Sequence, residues 1–207
     1  MSEIKIVYID DQIDEILSKY ISKVYCSKEF IVGECRQDVE KVYDEIKFDG
    51  DRGYENLLQD AKVRSANVIL IDNHLFEERT AGSGKFSGKQ FKVILRKLMP
   101  FVEVLIITQD EQLKGDNIIH KFSGRHGENP ELYYKGNLDV IVDSAIREVL
   151  EFESLAADLK QSADVEKVLV EKILHSLQGD NSYDGLTKKD IDELIASFKE
   201  LGSSCGY

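Results

Sequence analysis

The run Val68-Ile69-Leu70-Ile71 constrains this chain more than any other stretch. Four apolar residues stand in a row, three of them β-branched, and Asp72 closes the run. So short a run reads as a strand buried on both faces, which needs a layer of structure on either side. A carboxylate then arrives at the strand's C-terminal end. In open parallel sheets, ligands and chemistry gather outside the carboxyl ends of the strands. Burial makes a carboxylate costly unless a cation or hydrogen-bond donors compensate it, so Asp72 needs partners.

Similar runs recur. Ile4 to Ile9 is mostly apolar and ends in Asp10-Asp11, and Val102 to Ile107 ends in Thr108. Glu29 to Gly33 reads as a strand, and Leu132-Tyr133-Tyr134-Lys135 reads as a short strand ending in a cation. Between them, Ile13, Ile16, Leu17, Tyr20 and Ile21 recur at helical spacing, as do Val39, Val42, Tyr43 and Ile46. A short helix is expected near Tyr54 to Ala61, and another from Gly88 to Leu98, stopped by Pro100. The segment up to Phe122 reads as weakly helical, and residues 76–87 as a polar, glycine-rich surface loop. Strands alternating with helices five times predict an α/β fold: a five-stranded parallel sheet, doubly wound, with helices on both faces.

The formal charge of -12 argues against a phosphate-backbone partner, so no nucleic acid is expected. Cys26, Cys35 and Cys205 fit no metal or redox spacing, which accords with a reducing compartment. No window reaches membrane-spanning length, and the expectation is a cytoplasmic protein without a membrane partner. Gly82-Ser83-Gly84-Lys85 tempts a phosphate-loop reading, but the spacing is wrong and Gln90 stands where Ser or Thr is needed.

Parallel strands bring their C-terminal ends to one edge, so Asp10, Asp11, Asp72, Thr108 and Lys135 are expected to converge. Three close carboxylates stay ionised only around a cation, and a hard oxygen-seeking ion such as Mg2+ suits them. Lys135 would add fixed positive charge and Thr108 a hydroxyl donor. Asp72 is then left as the oxygen nucleophile in phosphoryl transfer.

The ordered stretches VYIDDQ, VILIDNHLF, VLIITQD and YYKGN resemble the receiver domain of two-component response regulators over roughly residues 3–157. The resemblance implies a flavodoxin-like sheet of strand order 2-1-3-4-5 with a phosphoaspartate on Asp72. Asp11 would bind Mg2+ directly, Asp10 through water, and His74 through its backbone carbonyl. Thr108 and Lys135 would contact the phosphoryl group. Such a domain takes phosphate from a histidine kinase or phosphotransfer protein, and is a phosphoacceptor rather than an enzyme with a separate substrate. This sequence departs from the pattern at Gln109 after the threonine, Gly136 after the lysine, Phe76 four residues past the acceptor, Leu132 in place of a switch aromatic, and a longer loop at 77–87. An unphosphorylated pseudo-receiver scaffold is the alternative these departures motivate.

The receiver-like domain is expected over residues 1–157 and an all-α extension over 158–207. Val142, Ala145, Val149, Phe152, Ala156 and Leu159 begin a seam with spacings of three and four that continues to Leu177. Either one long helix pairs with a second subunit, as a homodimer, or the chain breaks near residues 161–164 into a hairpin. A last helix is expected from Thr187 to Leu201. From Leu138 onward there are fifteen acids and seven bases. That balance suits a protein effector better than DNA or RNA.

Overall fold

The computed structural model describes residues 2–32, 35–49, 53–76, 87–124 and 129–161, with the side chains of 35–37 and 159–161 set aside. The expected loop at 77–86 and the helical extension beyond Gln161 lie outside the described residues.

The sheet contains β1 (Ser2–Asp10), β4 (Val39–Lys47), β5 (Val68–Asp72), β6 (Glu103–Thr108) and β7 (Ile118–His120). The lateral order is β4-β1-β5-β6-β7, which is 2-1-3-4-5 when these strands are counted along the chain. All four pairings are parallel. The α/β architecture and the flavodoxin-like order are therefore those expected.

Side chains alternate across the strands and build two cores. Val7, Ile9, Ile69, Ile71, Val104 and Ile106 pack with α2 (Tyr54–Gln59), α3 (Ala61–Arg64) and α4 (Gly88–Leu98). Ile4, Ile6, Tyr8, Val68, Leu70, Leu105 and Ile107 face α1 (Glu15–Tyr20), α5 (Pro130–Asn137) and α6 (Asp139–Gln161). Asp14 caps α1 by accepting from the backbone N–H of Ile16 and Leu17, and a π-helical stretch, Ile21–Tyr25, continues it. Ser87 and Gln90 form a capping box that starts α4.

Four expectations fail. Residues 39–47 form the edge strand β4 rather than a helix. Val39, Val42, Tyr43 and Ile46 match helical spacing by accident, but they are β-formers, and β1 pairs with them over nine residues. The strand near Phe30 exists as β2 (Phe30–Val32), but it pairs antiparallel with β3 (Cys35–Gln37) outside the main sheet.

The last sheet strand is Ile118–His120, not 132–135. Asn129 accepts from the Glu131 N–H and Pro130 occupies the first helical position, so α5 starts where a strand was expected. Tyr133 and Tyr134 turn into the core, while Lys135 lies exposed on this helix. Residues 109–117, joining β6 to β7, contain turns and no helix. No helix among the described residues is long and apolar enough to cross a membrane.

Candidate functional site

Register assembles the site. Ile9 lies opposite Ile71, so the next residues, Asp10 and Asp72, end adjacent strands side by side. Asp72 in turn lies opposite Ile107, which places Thr108 one step beyond it on the following strand. The side chains of Asp10, Asp72 and Thr108 are all buried. One carboxylate oxygen each from Asp10, Asp11 and Asp72 lies within 4.8 Å of the others.

The cation among them is Lys121, the residue after β7. Its ammonium sits 2.7 Å from Asp10 Oδ2 and 2.9 Å from Asp72 Oδ1, and its side chain is only 8% exposed. Burial alone lowers a lysine's pKa, but the bonds to Asp10 and Asp72 outweigh it and hold Lys121 above the ordinary value. Lys135, expected in this role, belongs to a helix surface instead. Strand pattern was the wrong guide there. The signal for Lys121 is two apolar residues, Ile118-Ile119, following the turn-forming Gly115-Asp116-Asn117.

Asp10 accepts from three protein donors. Oδ2 takes the Lys121 ammonium and the Tyr8 hydroxyl, and Oδ1 takes the Gln12 N–H at 3.0 Å. Tyr8 is fully buried, and its phenol also accepts from the Asp14 N–H at 3.4 Å. Burial first, then the charge and hydrogen bond of Asp10, push the Tyr8 phenol far above its usual value, so it remains a donor. Sequence reading missed Tyr8, although period-2 alternation places it on the same face as Asp10.

Asp72 receives Lys121 on Oδ1 and the His74 N–H on Oδ2, the latter at 2.7 Å. Asn73 ties the same turn down: its N–H donates to Ile107 O, and its carbonyl accepts from Gly88 N–H at 2.8 Å. A Cβ on Gly88 would stand 2.3 Å from the Asp72 carbonyl oxygen, so only glycine lets α4 approach this closely. Phe76 anchors the end of the turn, with its ring 5.0 Å from Phe91 and 5.3 Å from Phe48. Thr108 Oγ1 accepts from the Asp110 N–H at 3.0 Å.

The donor set fits a divalent ion. Three carboxylates and one ammonium leave a formal charge of about -2 at an edge where two of the acids are buried. Asp11 bears the strain. Burial first, then the hydrogen bond and charge of Asp10 and the charge of Asp72, raise its carboxyl above the ordinary range. An oxygen-seeking cation relieves that repulsion, and Asp11, the most open of the three, can reach it.

No family model matches the chain, and no curated protein matches it. Among solved structures, the chain is similar to a two-component transcriptional regulator AraC from Clostridium phytofermentans ISDg. Identity is 15%, over 73% of this chain and 98% of that one, with a TM-score of 0.40.

Proposed function

We propose that the chain is a receiver-type phosphoacceptor, phosphorylated on Asp72 in a Mg2+-dependent reaction, that passes its state to a protein partner. The observation that carries this reading is Lys121 bridging Asp10 and Asp72, with Asp11 alongside and Thr108 at the next strand end.

Asp11 and Asp72 would hold the ion directly, Asp10 would stand behind them, and the His74 carbonyl would complete the protein's share. When bound, the ion would supply positive charge against the negative charge of the transferring group. Asp72 contributes the nucleophile: a carboxylate oxygen forms a bond to phosphorus while the bond from phosphorus to the donor breaks. The departing group, an imidazole or a carboxylate, keeps that electron pair. Lys121 offers fixed charge that needs no reorganisation, and Thr108 offers a hydroxyl donor from the adjacent strand. A cleft lined by Gln109, His120, Lys121 and Phe122 opens on the Lys121 side of this edge. The donor would be a histidine kinase, a phosphotransfer protein or a small acyl phosphate. The output would be a protein effector or a second copy engaged through the C-terminal helices. The chain would act as a phosphoacceptor rather than as an enzyme on a separate substrate.

The test is intact mass after incubation with acetyl phosphate and Mg2+. One added phosphoryl group is expected on the wild type and none on Asp72→Asn. A wild type without an adduct under donor, kinase and metal excess would sink the reading. It would favour an unphosphorylated interaction module, to which the exposed Gln109 directly after Thr108 lends support.

A further inference from the structure

We propose that Tyr8 is a specificity-determining residue for the divalent-ion site, acting through Asp10 to favour Mg2+ over Ca2+. The inference rests on the ion-binding part of the proposed function and adds a residue to it.

A carboxylate has about four lone-pair positions. On Asp10 three are occupied: two on Oδ2, by Tyr8 and Lys121, and one on Oδ1, by the Gln12 N–H. The Oδ2 atom therefore has nothing left for a metal. The Tyr8 proton is committed to this task, because the phenol oxygen itself receives the Asp14 N–H, at the cap of α1, from the other side. Tyr8 is fully buried in the core that α1, α5 and α6 cover, so its hydroxyl has no freedom to swing away.

The consequence is a limit on how many carboxylate oxygens an ion can reach. Asp11 and Asp72 remain available, while Asp10 keeps only one position, on Oδ1, and cannot grip an ion through both oxygens. Mg2+ binds through one or two carboxylates and retains several waters, whereas Ca2+ takes six to eight oxygens in a loose shell and gains from each additional carboxylate. Tyr8 thus withholds the second oxygen of Asp10, and with it the bidentate grip that would favour the larger ion.

The experiment is calorimetric titration of Mg2+ and of Ca2+ into the full chain, its Tyr8→Phe variant, Asp10→Asn, and the double variant. Phenylalanine keeps the ring that fills the core and removes only the hydroxyl. The ratio of the Ca2+ to the Mg2+ dissociation constant is expected to fall about tenfold in Y8F, the scale on which residues behind metal ligands act. In the Asp10→Asn background the same change is expected to leave the ratio unmoved, since no carboxylate is there to be released. Loss of core packing alone would weaken both ions in parallel, so an unchanged ratio in Y8F overturns the proposal. An equal fall of the ratio with and without Asp10 overturns it too. Should Y8F not fold, Asp10→Asn alone carries the test: an unchanged Ca2+ to Mg2+ ratio is expected, and a ratio clearly above that of the wild type, the mark of an Asp10 already gripping Ca2+, overturns the inference. A wild type that binds neither ion removes both this inference and the metal-dependent reading. Ion binding with the expected ratios but no phosphoryl adduct removes only the phosphoacceptor reading.

Discussion

Lys121 reaches Asp72 from two strands away, at 2.9 Å, across the end of β6. The strand between them contributes the small Thr108, which leaves the lysine's path to the acids open. Removing one partner of a buried ion pair strands the other charge, and here two carboxylates would be stranded at once. Lys121→Met is expected to lower metal-free stability by about 3 kcal/mol in urea unfolding. Lys135→Met, on an exposed helix face, should change stability by less than about 0.5 kcal/mol. Equal effects from the two variants would contradict the assignment of the site lysine.

Asp11 supplies the opposite sign. Its carboxyl titrates above the ordinary range, so the folded protein holds that proton more tightly than the unfolded chain. In metal-free buffer the stability of the wild type relative to Asp11→Asn should therefore fall as pH rises through and just above the normal carboxylate range. Adding Mg2+ at a hundred times its dissociation constant should stabilise the wild type by about 2.7 kcal/mol and leave Asp11→Asn nearly unmoved. Thermal melts with and without the ion read both effects.

Gly88 permits the contact between α4 and the acceptor strand. Gly88→Ala puts a methyl group against the Asp72 carbonyl, and the first turn of α4 must back away. We expect a loss of about 2 kcal/mol on unfolding, although alanine is the better helix former. Amide exchange should rise at Gly88 and Lys89, whose N–H groups donate to the Asn73 carbonyl and side-chain oxygens.

Lys92 provides a pH test away from the site. Burial first, then the charge of Arg96, lowers its pKa to about 8. Between about pH 8 and the normal lysine value the unfolded chain binds more protons there, so this residue makes stability rise with pH. The stability difference between the wild type and Lys92→Met should grow in favour of the wild type across that window. A flat difference in urea unfolding at several pH values would refute the shift.

The sequence made the acids legible and the cation illegible, and the reason is strand length. β1 and β5 are long or fully apolar, so their ends at Asp10 and Asp72 stand out. β7 has three residues, one of them His120, and follows a helix-free connection, so it carries too little pattern to register. The aromatic pair Tyr133-Tyr134 looked like a strand because both rings are buried, yet Asn129-Pro130 already marked a helix start. Val39 to Ile46 failed differently. An edge strand is half-wet on both faces, and Lys41 replaces an apolar residue by laying its ammonium 4.3 Å above the Tyr25 ring. Period-2 alternation is lost wherever a buried position is filled that way.

Two long-range tyrosine hydrogen bonds at the start of α6 bear on how the protein is made. Tyr20 donates to Asp139 and Tyr25 to Asp143, spanning 119 and 118 residues, and Leu138, Val142, Ile146 and Val149 cover the sheet face formed by Ile4, Ile6 and Tyr8. A nascent chain emerging from the ribosome thus carries β1 half-naked until residues 138–149, more than a hundred positions later, have been made. Holding chaperones would have their longest opportunity on that early hydrophobic strip.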